Sequence, residues 1–151
     1  MDAVMIVDAL PRHVAPIANT ADEATKASCA LFGHTPRQSL RAALSSSSYC
    51  RTLLLDGKPA AMWGVAGPLL SPTGEGWVAL TPAARARRLL VARITIAELR
   101  NVMRLKTEIL AGVACGDARG QRFARFLGFV AGPTAEVHGM PFTLSALRSS
   151  T

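Results

Sequence analysis

The order of elements written into this chain predicts an α/β protein with a mixed sheet, and three observations carry that prediction. Asp56-Gly57-Lys58 lies between the apolar runs Tyr49–Leu55 and Pro59–Val65. Asp-Gly tolerates the positive dihedrals of a tight turn, so the two runs pair as an antiparallel hairpin. Thr35-Pro36 and Thr81-Pro82 each join an N-cap hydroxyl to a proline at the first helical position, and each opens an amphipathic stretch. Residues 109–130 then run as an apolar segment, a capped helix, a glycine stop and another extended segment. Strands joined as a hairpin thus occur beside strands separated by helices, which calls for a central mixed sheet with helices on both faces rather than a doubly wound repeat.

Element by element, Val4-Met5-Ile6-Val7 is a short strand. From Pro11 to Leu31, Val14, Ile17, Ala18, Ala24, Ala27, Cys29 and Leu31 form helical faces that Gly33 stops. A second helix runs from Thr35-Pro36 through Leu40 and Leu44, and Ser45–Ser48 is a polar break. After the hairpin, Gly67–Gly76 is a Pro/Gly/Ser/Thr loop and Trp77-Val78-Ala79-Leu80 a strand. Thr81-Pro82 leads into one long helix whose buried face uses Leu89, Leu90, Ile94, Ala97 and Val102. Ile109–Cys115 is a strand, after which Asp117 offers a cap to the orphan amides of a helix with Phe123, Phe126 and Leu127 along its apolar stripe. Gly128 ends that helix, Phe129-Val130 begins a strand, and Pro141–Leu147 is a final strand expected at a sheet edge, ahead of a polar tail at 148–151. Length and 50% apolar content fit one domain over 1–151 with a single core.

Apolar stretches such as Leu89–Ala92 are broken by arginines well short of membrane-spanning length, and no basic-then-apolar leader opens the chain, so a soluble, unexported protein is expected. Cys29, Cys50 and Cys115 lack CxxC spacing and an even count, and His13, His34 and His138 are scattered. Reduced, mostly buried thiols and no metal site are expected. The net charge of +7 is regional, because ten of the 17 basic residues fall between Arg85 and Arg125. Such a patch suits a pyrophosphate, nucleic acid or an acidic protein face. Without interleaved aromatics or a recognition motif it gives no sequence-specific nucleic-acid reader.

The segment Asp117-Ala-Arg-Gly-Gln-Arg-Phe-Ala-Arg-Phe-Leu-Gly-Phe129, set in this element order, resembles the fourth-helix motif of the GNAT (GCN5-related N-acetyltransferase) family. That motif is Asn-x-x-Ala-x-x-Leu-Tyr, three residues, then Gly-Phe. Asp117 stands at the asparagine position, Gly120 at the alanine, Phe123 at the leucine and Ala124 at the tyrosine. The resemblance implies the GNAT acyl-CoA N-acyltransferase fold over nearly the whole chain. It also implies three chemical parts: a tyrosine that protonates the departing thiolate, a carboxylate base on or beside the central strands, and a glycine-bearing loop whose bare amides meet the cofactor's pyrophosphate. Ala124 carries no proton to give. The strand Trp77–Leu80 carries no acid, and Glu75 just before it or Glu98 on the helix could serve only by an unforeseen geometry, an ordinary surface position being expected for Glu98. If Arg85 opens the loop motif, Arg88 and Leu90 fill its small-residue positions.

The Asp-Gly-Lys hairpin with Ala60-Ala61-Met62-Trp63-Gly64, the strand Gly76–Thr81 running into an arginine-rich helix, and the terminal Phe-Leu-Gly-Phe also resemble GNAT-like proteins of short-tailed bacteriophages, the internal virion type. That resemblance implies a catalytically degenerate virion or assembly component, present in symmetric copies, with no cofactor and no catalytic residue. Its arginine-rich surface would dock on portal, tail or internal core proteins, with non-specific DNA contact, in the virion and in the host cytoplasm during assembly. Pro68, Leu69 and Leu70 are the apolar loop contact it suggests. The alternative is an active N-acetyltransferase whose acetyl-CoA is held by Arg85, Arg87 and Arg88 through charge-assisted hydrogen bonds.

Overall fold

The computed structural model describes residues 3–149. Its elements are β1 (Val4–Asp8), a single 3-10 turn (Pro11–His13), α1 (Val14–Ala18), α2 (Glu23–Leu31), α3 (Pro36–Ser46), β2 (Ser47–Leu55), β3 (Lys58–Ala66), β4 (Thr73–Leu80), α4 (Pro82–Arg85), α5 (Arg88–Val102), β5 (Glu108–Ala114), α6 (Ala118–Phe126), β6 (Val130–Val137) and β7 (Met140–Arg148). The seven strands hydrogen-bond in the order β1-β2-β3-β4-β5-β7-β6. β1–β2, β2–β3, β5–β7 and β7–β6 are antiparallel, while β4 and β5 run parallel over Thr73–Glu75 and Glu108–Leu110. The expected mixed sheet with flanking helices is what the chain forms.

The chain packs as two compact units, one comprising the segment through Ala66 with Trp77–Val91, the other Gly67–Gly76 with Ala92 onward. In the first, the hairpin forms where Asp-Gly predicts it, with Asp56 at φ 51° and Gly57 at φ 78°. α3 begins with a reciprocal capping box: Thr35 Oγ1 accepts from the Gln38 amide at 3.2 Å and Gln38 Oε1 accepts from the Thr35 amide at 2.8 Å. The core joins Val14, Ile17 and Ala18 of α1 to Leu40 of α3 and Met62 of β3, with Leu44, Cys50 and Trp77 against it. Burying each large side chain contributes roughly 1.5–3 kcal/mol. Three expectations change here. The helical stretch 11–31 is divided, because Asp22 accepts from the Thr25 amide at 2.8 Å and so caps a separate α2. Ser45–Ser48 is no break: Ser45 and Ser46 bond back to the Arg41 and Ala42 carbonyls within α3, and β2 starts at Ser47. The Thr81-Pro82 start yields α4 of four residues and a turn at 86–87 before α5.

In the second unit β4 begins at Thr73, four residues earlier than its apolar run, because pairing with β5 and not hydrophobicity defines its start. β7 lies between β5 and β6, so the segment expected at an edge is internal, and β6 is the edge. β6 protects itself with Pro133 and a register shift between Ala131 and Thr134, both of which discourage further strand pairing. Lys106, 4% exposed, places its ammonium 2.7, 3.2 and 2.7 Å from the carbonyls of Pro68, Leu69 and Ser71. The Gly67–Pro72 loop is thus wrapped around a buried charge. Phe126, expected in the core, is 61% exposed, and Glu98, expected on the surface, is buried. Of the polar tail, Arg148 ends β7, and Ser150 and Thr151 lie outside the described residues. Cys115 is exposed rather than buried, while Cys29 and Cys50 are half-buried. No helix among the described residues is long and apolar enough to cross a membrane.

Candidate functional site

The connection from β4 to α5 gathers the three arginines singled out by the sequence. Thr81 anchors it from within, 4% exposed. Its hydroxyl donates to the Ala60 carbonyl at 2.7 Å and accepts from the Ala84 amide at 3.3 Å, while its own amide donates to Ala60 O at 3.0 Å. One side chain therefore ties the connection to β3 and caps α4. The next amides are spent locally: Arg85 on Thr81 O, Ala86 on Pro82 O and Arg87 on Ala84 O. The first amide of α5 to find an acceptor is that of Val91, on Arg87 O. Among the described residues the amides of Arg88, Leu89 and Leu90 find no backbone acceptor and are left as the orphan donors of a 15-residue helix, at the positive end of its dipole.

Around those donors, Arg88 is exposed and Arg87 half-buried. Arg85 ends α4 and reaches Asp22 at 3.5 Å, so part of its charge is already answered. Asp22 is held below the usual carboxylate range by its hydrogen bonds from the Thr25 amide and hydroxyl, with Arg85 adding to them. Leu89 is 76% exposed, an apolar side chain that α5 turns to solvent. An anion brought to the start of α5 would meet backbone N–H groups and guanidinium groups together, a combination suited to phosphate oxygens. The residues present fit a diphosphate by charge and donor set, although no glycine bares the backbone.

The α6 start is shaped by Asp117, whose Oδ1 accepts from the Gly120 amide at 2.9 Å. A Cβ at Gly120 would collide with the Asp117 carboxylate and lie 3.0 Å from Val113 Cγ1. The glycine at the motif's alanine position is therefore the counterpart of this cap. Gln121 then fastens α6 to the sheet through Nε2, which donates to Val113 O, Ala114 O and Thr143 Oγ1 at 3.3, 3.2 and 3.2 Å. Ala124, at the motif's tyrosine position, is 8% exposed and packs as core. Tyr49 lies on β2 in the other unit.

Sequence reasoning set Glu98 on a helix surface and passed over Lys106. Glu98 is 9% exposed with no partner for Oε2 among the described residues, and burial pushes its carboxyl above the usual range. Glu75, by contrast, is exposed. Lys106 stands in a run of ordinary helix-to-strand residues. Neither carries a local signal, since a lone charged residue on a helix or loop is normally solvated. The Cys50 thiol, pushed up to about 11 by burial, stays protonated at neutral pH.

Neither a protein-family model nor a curated protein sequence matches the chain. Solved structures do. An Acinetobacter baylyi protein assigned as an acetyltransferase superposes with TM-score 0.76 at 14% identity, covering 100% of this chain and 96% of its own. A GNAT-family acetyltransferase from Bacillus anthracis gives 0.72 at 10% identity over 96% and 94%. A Salmonella typhimurium protein assigned as an acetyltransferase, solved with its cofactor acetyl-CoA, gives 0.67 at 20% identity over 97% and 94%. The chain has the fold of the GNAT acetyltransferases. The likeness to phage virion proteins finds no support in these structures.

Proposed function

We propose that this chain is an acetyl-CoA-dependent N-acetyltransferase that holds its cofactor's diphosphate at the start of α5. The observation that carries the reading is the set of unspent amides at Arg88, Leu89 and Leu90 beside Arg85, Arg87 and Arg88, in a chain whose fold is that of GNAT acetyltransferases. Arg88 supplies charge-assisted hydrogen bonds in place of a glycine loop, with Arg87 beside it, and Arg85 contributes less because Asp22 shares it. Thr81 positions the whole connection through Ala60 and Ala84. When bound, the cofactor supplies a thioester open to attack by a free amine. Ala124 offers no proton to the departing thiolate, so water or the amine itself provides it. Slow turnover is the expected consequence. The virion-component reading, with its partners and location, rests on sequence texture alone.

The test is calorimetric titration with acetyl-CoA and CoA at low and moderate salt, with thiol release measured on a panel of amines. Saturable micromolar binding is expected, weakened about tenfold or more by Arg88→Glu and less by Arg85→Glu. Absence of heat and of any rise in melting temperature at millimolar ligand overturns the proposal, because a ligand of the native state must stabilise it.

A further inference from the structure

Within the second unit, α5, α6 and β7 line a cavity of about 520 Å³, open to solvent, whose apolar wall is formed by Ile96, Leu99, Met103, Leu127 and Leu147. Arg100, Arg104 and Arg148 stand around it, and Phe126 beside it is 61% exposed. We propose that this cavity is a docking site for an acidic peptide segment of a partner protein, with large apolar side chains seated in the cavity and carboxylates on the arginines. The charge is what selects the occupant. Arg100 and Arg104, both exposed, bond to no acid among the described residues, and Arg122 lies one helical turn before Phe126, on the same face of α6.

The unit's own acids do not answer them: Glu98 is buried, Asp117 is spent on its helix cap, Glu108 takes Arg148 at 2.7 Å, and the exposed Glu75 and Glu136 form no ion pair with these arginines among the described residues. Like charges crowded on neighbouring helix turns oppose folding unless something outside balances them. Guanidinium groups around an apolar centre form the pattern of a protein hot spot, where Arg frames a desolvated pocket. Nucleic acid would satisfy the arginines and leave the apolar wall unused, since backbone phosphates carry nothing to fill it. The site stands apart from the α4–α5 connection in its residues, and the proposal does not depend on acetyl transfer.

The experiment is fluorescence anisotropy with a labelled Asp/Glu-rich peptide carrying a central Leu-x-x-Phe pair, run beside the same peptide with both apolar residues changed to Ala and beside a duplex DNA. Saturable binding of the first peptide is expected. It should weaken about tenfold or more in the exposed double variant Arg100→Glu/Arg104→Glu, and also when the apolar pair is removed. Three results each overturn the proposal: no binding of the first peptide, equal binding of the Ala peptide, or tighter binding of DNA than of peptide.

Discussion

Lys106→Met keeps the aliphatic stem and removes the ammonium, which makes it a direct measure of what a buried charge does for the Gly67–Pro72 loop. All three ammonium donors are used, on Pro68 O, Leu69 O and Ser71 O at 2.7, 3.2 and 2.7 Å. A hydrogen bond to a charged group is worth about 1.5–3 kcal/mol net, so the three together oppose unfolding by roughly 5–9 kcal/mol. That net figure already contains the cost of desolvating the ammonium. Part of the loss is recovered because the loop is open, Leu70 being 89% exposed, and water can reach carbonyls once the loop relaxes. A net destabilisation of about 3 kcal/mol is expected, close to the usual cost of breaking a buried pair. Urea unfolding reads it directly, and for a chain of this length melting should fall by roughly 6–12 °C. Backbone amide exchange at 67–72 should accelerate most. Since the ammonium acts as a cation in a carbonyl cage, methylammonium added to Lys106→Ala should restore part of the lost stability. A loss under about 1 kcal/mol, without faster exchange in the loop, would refute the reasoning, because the carbonyls would then be shown to be as well served by water.

Three further substitutions follow from buried groups. Burial raises the Glu98 pKa in the folded state above its unfolded value, so its contribution to stability is present below the carboxylate range and is lost as pH rises through the folded pKa. Glu98→Gln should therefore unfold at higher urea than the parent at neutral and alkaline pH and show little difference in acid; equal midpoints across the range would contradict the burial argument. His13 is 4% exposed, and its Nδ1 accepts from the Leu10 amide at 3.0 Å beside Thr52 Oγ1 at 3.0 Å, an arrangement that needs an unprotonated Nδ1. Its pKa is lowered by burial, then by Arg12, so stability present above the ordinary histidine value should be lost as pH falls through the folded pKa. That acid dependence should flatten in His13→Asn, with ring titration followed by NMR as the check. Gly64→Ala would set a Cβ 2.7 Å from Tyr49 O and 2.9 Å from the Trp77 ring, so about 1–3 kcal/mol of overpacking cost is expected in thermal unfolding.

What was legible in the sequence was local. The Asp-Gly hairpin, the Thr35 cap and the Asp117 cap each complete their own hydrogen bonds within a few residues, so their identities suffice. The site was legible in part, because clustered arginines at a helix start are visible in one dimension, while the donors that make the cluster useful are visible only once α4 has consumed its own amides and α5 has not. The internal position of β7 is not legible because apolar content does not say which neighbours a strand will find, and β4 begins at Thr73 only because β5 is there to pair with it.

The sequence by itself determined the succession of strands, the Asp-Gly turn and the basic character of the 85–125 region, since short-range sterics and composition decide these, while it ran together helices that local caps divide. Tertiary structure alone decided that Glu98 is buried and Phe126 exposed, that Lys106 closes on three carbonyls 35 to 38 residues away, and that Ala124 is core. Those outcomes depend on which surfaces meet across the sheet, and a side chain's solvation is fixed by partners that lie far from it along the chain.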